Sequence, residues 1–221
     1  ICSSLDSLEP AINYIRIGSE LSCDERFREK LVENVLISFD NRSDVRQCLS
    51  ACRVYVGTVA SISSNPELFK LKHFDVAIID EATQILEPQL LWILTAKSSD
   101  GQHAVDKFVL IGDHKQLPAV VLQNKESSEV YDEGLRNIGL YNLKDSLFER
   151  LYRFHLQEED SSALDMLCKQ GRMHPDVASF PNQAFYGGKL QPIGLPHQLE
   201  KLDTPVLFIP SRKDHQSVSG K

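Results

Sequence analysis

Residues 76–84 read VAIIDEATQ: four apolar residues run without alternation into two adjacent carboxylates, Asp80 and Glu81. A short, unbroken apolar run of this kind reads as a strand buried on both faces of a parallel sheet. Such sheets bind ligands just beyond the carboxyl ends of their strands, where Asp80 and Glu81 emerge. Two acids there are costly unless something cationic sits opposite them. A divalent metal on a nucleotide phosphate meets that need, and the second carboxylate can then orient and activate an attacking water. The same residues also read as two solvated acids opening a helix at Ala82, where the helix dipole favours negative charge. These nine residues leave both readings open.

At 221 residues the chain is long enough for one large domain or one and a half, with ample apolar content for a core of its own. A net charge of −7 argues against binding nucleic acid mainly through a basic surface, while leaving room for a local groove that grips one strand. No apolar run approaches the length of a bilayer span, so no membrane partner is expected. The first residues, ICSSLDSL, lack the basic flank and apolar stretch of a secretory signal. Cys2, Cys23, Cys48, Cys52 and Cys168 form no CxxC pair, and with no further His or Cys at ligand spacing they read as small buried hydrophobes. Reduced thiols and no export signal lead us to expect a cytoplasmic protein. The chain begins at Ile1 and not at Met, and it stops at SVSGK, so it reads as a piece of a longer protein.

Along the chain, residues 5–11 are expected to be the tail of a helix closed by Pro10, and Ile12–Ile17 a short strand ending at Gly18. Phe27, Leu31, Val35 and Phe39 recur every four residues, which predicts one helix over 24–39 with Asp24 as its N-cap. A second short helix is expected near 44–49. Strands are predicted at 53–56, 74–79 and 108–111, with a helix over 86–96 between the last two. That alternation predicts an α/β domain with a parallel sheet. Residues 123–142 are polar and acidic and read as a mobile surface excursion. An amphipathic helix marked by Leu147, Phe148, Leu151 and Phe154 follows, then a strand at 164–167 and a helix opened by Pro175. Pro192, Pro196, Pro205 and Pro210 give the next stretch the character of a linker, and Val206–Ile209 reads as one more strand beyond it.

Two more polar clusters follow apparent strands. In GDHKQLP, residues 112–118, Asp113 and Gln116 should face the same crevice as the acid pair. A neutral amide there can bond a phosphate oxygen or the attacking water without cancelling a metal's charge. Alone, the segment reads as well as a turn with helix-capping side chains. In QGRMHP, residues 170–175, the Arg172 guanidinium could reach a developing phosphate charge, a contact worth roughly three to five orders of magnitude in rate. Alone, it reads as a surface arginine near a helix start.

In this order and spacing the three clusters resemble the superfamily 1 helicases, in the branch of the nonsense-mediated-decay helicase and the replication helicase/nuclease. DEATQ followed by Glu87-Pro88 resembles their Walker B motif, GDHKQLP their motif III, and QGRMHPDVASFPNQAFYGGKL the segment joining their two motor domains. The resemblance runs from about Cys52 to Leu190. It implies a RecA-like P-loop NTPase domain, a parallel sheet flanked by helices, over residues 1–191 with a helical insertion near 20–50. Residues 192–221 would be a linker and the start of a second RecA-like domain. The cofactors implied are ATP and Mg²⁺, and the partner is single-stranded DNA or RNA.

Carried over by position, Asp80 would hold Mg²⁺ directly or through water, and Glu81 would be the catalytic base. Gln84 would couple that loop to the neighbouring motif, Asp113 would support the metal-side network, and Gln116 would sense the γ-phosphate. Arg172 would contact the γ-phosphate from the side nearest the second domain. Gly57-Thr58 resembles the family's GT motif, whose threonine touches the nucleic-acid backbone, although the pair also reads as an ordinary strand-end turn. His174 is assigned to local structure. Gly171 stands where the family usually has an aromatic residue, which loosens the segment carrying Arg172. The chain contains no GxxxxGK[ST] loop, so the phosphate-binding loop is expected upstream of Ile1, and the isolated polypeptide is expected to hydrolyse little ATP. The competing class is a catalytically silent domain that binds nucleic acid or protein, which a parent gene without that loop would favour.

Overall fold

The structure is a computed structural model and describes residues 1–10, 12–158 and 162–193, with Val206 and Ile209. The chain divides into two compact units, Ile1–Glu159 and Asp160–Lys221. The expected strand at Val206–Ile209 and the prolines from Pro196 onward lie outside what can be described as elements.

The first unit opens with α1 (Cys2–Asp6) and β1 (Tyr14–Ile17). The helix ends before Pro10 and does not run to residue 11 as the sequence suggested. The single helix expected over 24–39 is also not formed. A 3-10 turn over Glu25–Lys30, capped by Asp24, gives way at Leu31 to extended backbone, and α2 (Val32–Ile37) starts afresh. Leu31 is fully buried and bridges Arg16 of β1. Packing beside that strand outweighs continuation of the helix, because extended backbone at this residue docks the segment on β1. After α3 (Arg42–Ala51), β2 (Val54–Gly57) pairs in parallel with β1, Tyr14 opposite Val54 and Ile17 opposite Gly57.

Helices α4 (Val59–Ser63) and α5 (Glu67–Leu71) lead to β3 (Phe74–Ile79), and α6 (Glu87–Leu94) leads to β4 (Val105–Leu110). β3 and β4 are parallel neighbours, with Ala77 opposite Phe108 and Ile79 opposite Leu110. One face of this pair is buried. Ile79, with Phe108 and Leu110, packs on Ala82, Leu90, Leu147, Phe148 and Leu151. The opposite face is not, which corrects the expectation of a strand buried on both sides. Val76, Ile78, Val109 and Ile111 are all exposed, Ile78 at 67%. Among the described residues no helix covers this face. Within the first unit the described strands form two separate parallel pairs, β1–β2 and β3–β4. The packing clusters around them share Ile62 and Phe74.

The excursion at 123–142 is more ordered than its composition suggests. It holds α7 (Lys125–Ser128) and α8 (Glu133–Asn137), capped by Asn124 and Asp132, and it is closed by a bridge between Glu129 and Asn142. The fully buried Ser128 anchors it, its Oγ donating to the Asn124 carbonyl at 2.7 Å. Then α9 (Leu147–Gln157), capped by the buried Ser146, lays its apolar stripe on the ends of β3 and β4.

In the second unit, residues 164–167 are not a strand, and Leu167 is exposed. The ladder falls instead on β5 (Lys169–Gln170), where backbone of β6 (Gln191–Pro192) is available to pair. Between them runs α10 (Pro175–Tyr186), started by Pro175 at its first position and closed by Gly187 in the left-handed region.

Candidate active site

Pairing of β3 with β4 brings the ends of both strands to one edge. Beyond Ile79 and Leu110 the two chains stay joined: Ile111 N donates to Ile79 O and Ala82 N to Ile111 O, both at 2.8 Å. The approach is tight at Gly112, where an added Cβ would lie 2.9 Å from Thr83 Cγ2 and 3.1 Å from its backbone N. Glycine is needed there because the two loops touch. The acid pair and the 113–116 turn are thus delivered side by side by the sheet itself.

At the end of β3 the backbone reverses through Glu81, which lies in the left-handed region at φ 52° and ψ 37°. Asp80 Oδ1 accepts from Glu81 N at 3.0 Å. Gln84 Nε2 donates to Glu81 Oε2 at 3.1 Å, so Gln84 orients the acid three positions before it. At the end of β4, Asp113 Oδ1 accepts from Lys115 N at 3.0 Å, and Gln116 Nε2 donates to Asp113 Oδ2 at 2.8 Å. With its amide nitrogen so engaged, Gln116 presents Oε1 as an acceptor. Asp80 and Glu81 supply hard oxygen atoms on an exposed edge, the donor type that Mg²⁺ takes one or two at a time beside phosphates and water. His114, between Asp113 and Gln116, stacks on Tyr152 of α9 with ring centroids 4.2 Å apart. Burial first and the neighbouring Lys115 second hold its imidazole below the ordinary histidine value.

One pairing at the site has no local signature in the sequence. Glu87, at the start of α6, is buried and receives Arg150 Nε on Oε2 at 2.8 Å and the Arg150 terminal nitrogen on Oε1. Both side chains are only 12% exposed, and Arg150 also donates to Ile138 O at 2.9 Å. A helical pattern could have flagged an arginine beside the apolar stripe of α9, but nothing local names a partner 63 positions away.

Gly57 closes β2 against β1, since an added Cβ would meet Ile17 O at 2.8 Å. Thr58 is the N-cap of α4, its Oγ1 accepting from Ser61 N at 3.1 Å. The next residue, Val59, packs in the cluster under the acid pair.

Arg172 belongs to the second unit, where its backbone is held firmly. Gln170 Oε1 accepts from Arg172 N at 3.1 Å and Met173 N at 2.8 Å, while its Nε2 donates to Met173 O at 3.0 Å. These bonds hold the backbone of the segment in which Gly171 was expected to give looseness, and a Cβ on Gly171 would meet nothing within 4 Å. His174 has the local role expected of it, capping α10 through Nδ1 to Asp176 N.

Residues 14–124 match a family described as AAA domain, and residues 143–217 match a second family of that description. The chain is 30% identical over 182 residues to the DNA replication ATP-dependent helicase/nuclease DNA2 of Gallus gallus, covering 81% of this chain and 16% of that protein. It is 32% identical over 166 residues to an uncharacterized ATP-dependent helicase of Methanocaldococcus jannaschii, covering 74% and 20%. Over 114 residues it is 41% identical to the 3'-5' exoribonuclease HELZ2 of Mus musculus, covering 52% and 3%. The chain thus spans a fifth or less of these relatives. Its motifs, its paired strand ends and these matches agree: the chain belongs to the helicase family of AAA domains that contains the DNA replication helicase/nucleases, the superfamily 1 branch its motifs resemble.

Proposed function

We propose that this chain is part of the motor of an ATP-dependent helicase, a RecA-like domain whose strand ends hydrolyse ATP while the whole protein moves on single-stranded nucleic acid. The observation that carries the reading is the joined pair of strand ends, which presents Asp80–Glu81 beside Asp113–Gln116 on one edge. Glu81 acts as the base, its Oε2 held by Gln84 and its other oxygen left to take a proton from water. Gln116 Oε1 accepts a hydrogen bond from that water or, through small rotations, its amide reads the γ-phosphate. Asp80 would hold Mg²⁺, directly or through water, and the ion when bound would neutralise phosphate charge and polarise the γ-phosphate.

Thr58 lies at a strand end with its hydroxyl exposed, which suits a contact to a nucleic-acid phosphate. Arg172 is assigned to the γ-phosphate, with the hinge between motor domains in the proline-rich stretch from Pro192. Contact with one phosphate from two domains gives the closed state its differential affinity. The reading as a silent binding module is set aside, because the acid pair and Gln116 are intact and the relatives named above include ATP-dependent helicases.

The test is Glu81→Gln in the full-length protein. Turnover stimulated by single-stranded DNA or RNA should fall by about 10²-fold or more, the scale of general-base catalysis, with nucleotide binding retained. Turnover equal to wild type would remove Glu81 from the role of base. Tailed DNA and RNA duplexes then distinguish the track.

A further inference from the structure

Helix α9 touches both strand-end loops and contains none of the residues assigned to the chemistry. Its apolar stripe, Leu147, Phe148 and Leu151, packs on Ile79, Ala82, Phe108 and Leu110, the last turns of the two strands. Arg150 and Tyr152 flank that stripe on opposite sides, as helical periodicity requires of them. On one side Arg150 grips Glu87, which follows the acid pair through the Ala82–Gln84 turn. On the other side Tyr152 lies against His114, inside the turn that carries Gln116. The N-terminal end of the helix is tied in as well, by the bridge between Ser146 and Leu86.

We propose that α9 is a brace that sets the distance between the base and the γ-phosphate reader, with Arg150 and Tyr152 as positioning residues for hydrolysis. The inference rests on the function proposed above. A buried ion pair is a poor device for stability alone, since apolar residues of the same volume serve as well or better. A bidentate guanidinium–carboxylate pair instead fixes direction and separation. The tilted ring contact at 33° does the same for the His114 turn, whose next two residues, Lys115 and Gln116, are exposed. Geometry is where hydrolysis is sensitive: a displacement of about 1 Å in a reacting group costs roughly 10²-fold.

The experiment uses the full-length protein with four variants. Tyr152→Leu removes the ring, and Tyr152→Phe keeps it. His114→Phe keeps the stack without the imidazole. Glu87→Leu with Arg150→Met replaces the ion pair by apolar volume. Melting temperature, kcat and KM for ATP are measured for each beside wild type and Glu81→Gln. The brace predicts that Tyr152→Leu and the apolar double variant stay folded and lose about tenfold or more in kcat, with KM nearly unchanged. Tyr152→Phe and His114→Phe should keep kcat within about threefold, because the stacked geometry survives.

Wild-type kcat in folded Tyr152→Leu and in the double variant, with Glu81→Gln dead, overturns the brace alone. Activity losses that merely follow loss of folded protein also overturn it, assigning α9 to stability. Turnover by Glu81→Gln equal to wild type brings down the functional reading, and the brace with it.

Discussion

Glu81 sits in the left-handed region without being glycine, at a cost of roughly 1–2 kcal/mol from its Cβ. Among the described residues it is the one non-glycine position with positive φ, and it is the residue assigned as base. Replacing the side chain without relieving the backbone leaves that cost in place. Glu81→Gly should therefore melt above Glu81→Ala, by about 1 kcal/mol after glycine's own entropy penalty is taken off. Denaturant titration of both variants checks this, and equal midpoints would show that the backbone is unstrained. Asp80, Glu81, Asp113 and Gln116 were legible in the sequence because each interrupts or follows an apolar run. Their partners were less so. Gln84 turns back to Glu81, and Gln170 holds the Arg172 backbone, because a flexible amide takes whichever donor or acceptor the turn presents.

At the scale of elements, the Glu87–Arg150 pair joins α6, α9 and the 123–142 segment, the last through Ile138 O. Arg150→Met on its own strands a buried carboxylate, and the expected loss is about 3–5 kcal/mol, the cost of breaking a buried pair from one side. The apolar double variant should recover most of that loss, and equilibrium unfolding of the two variants side by side measures the difference. Helix α9 was legible because its periodicity and burial agree, and β3 was located by its apolar run although one of its faces is exposed. The break at Leu31 was not, because a one-in-four apolar pattern looks the same whether a helix continues or restarts. The strand expected at 164–167 failed for a related reason. A strand needs a partner, and the backbone that pairs lies against Lys169–Gln170.

Across the whole molecule, the apolar face of the β3–β4 pair is the feature least like a finished domain. The sequence reported these residues as apolar; it could not report that, among the described residues, helices would pack on one side of them and leave the other open. The polypeptide of residues 1–221 should bind anilinonaphthalene sulfonate. Ile78→Thr with Val109→Thr should dim that emission while shifting stability by no more than about 0.5 kcal/mol per site, the scale of surface changes. Undiminished emission would place the dye elsewhere. The uncovered face also sets the thermal character of its occupancy. Whatever settles on Val76, Ile78, Val109 and Ile111 removes hydrocarbon from water. Its binding must then carry a negative heat-capacity change and a grip that loosens in the cold.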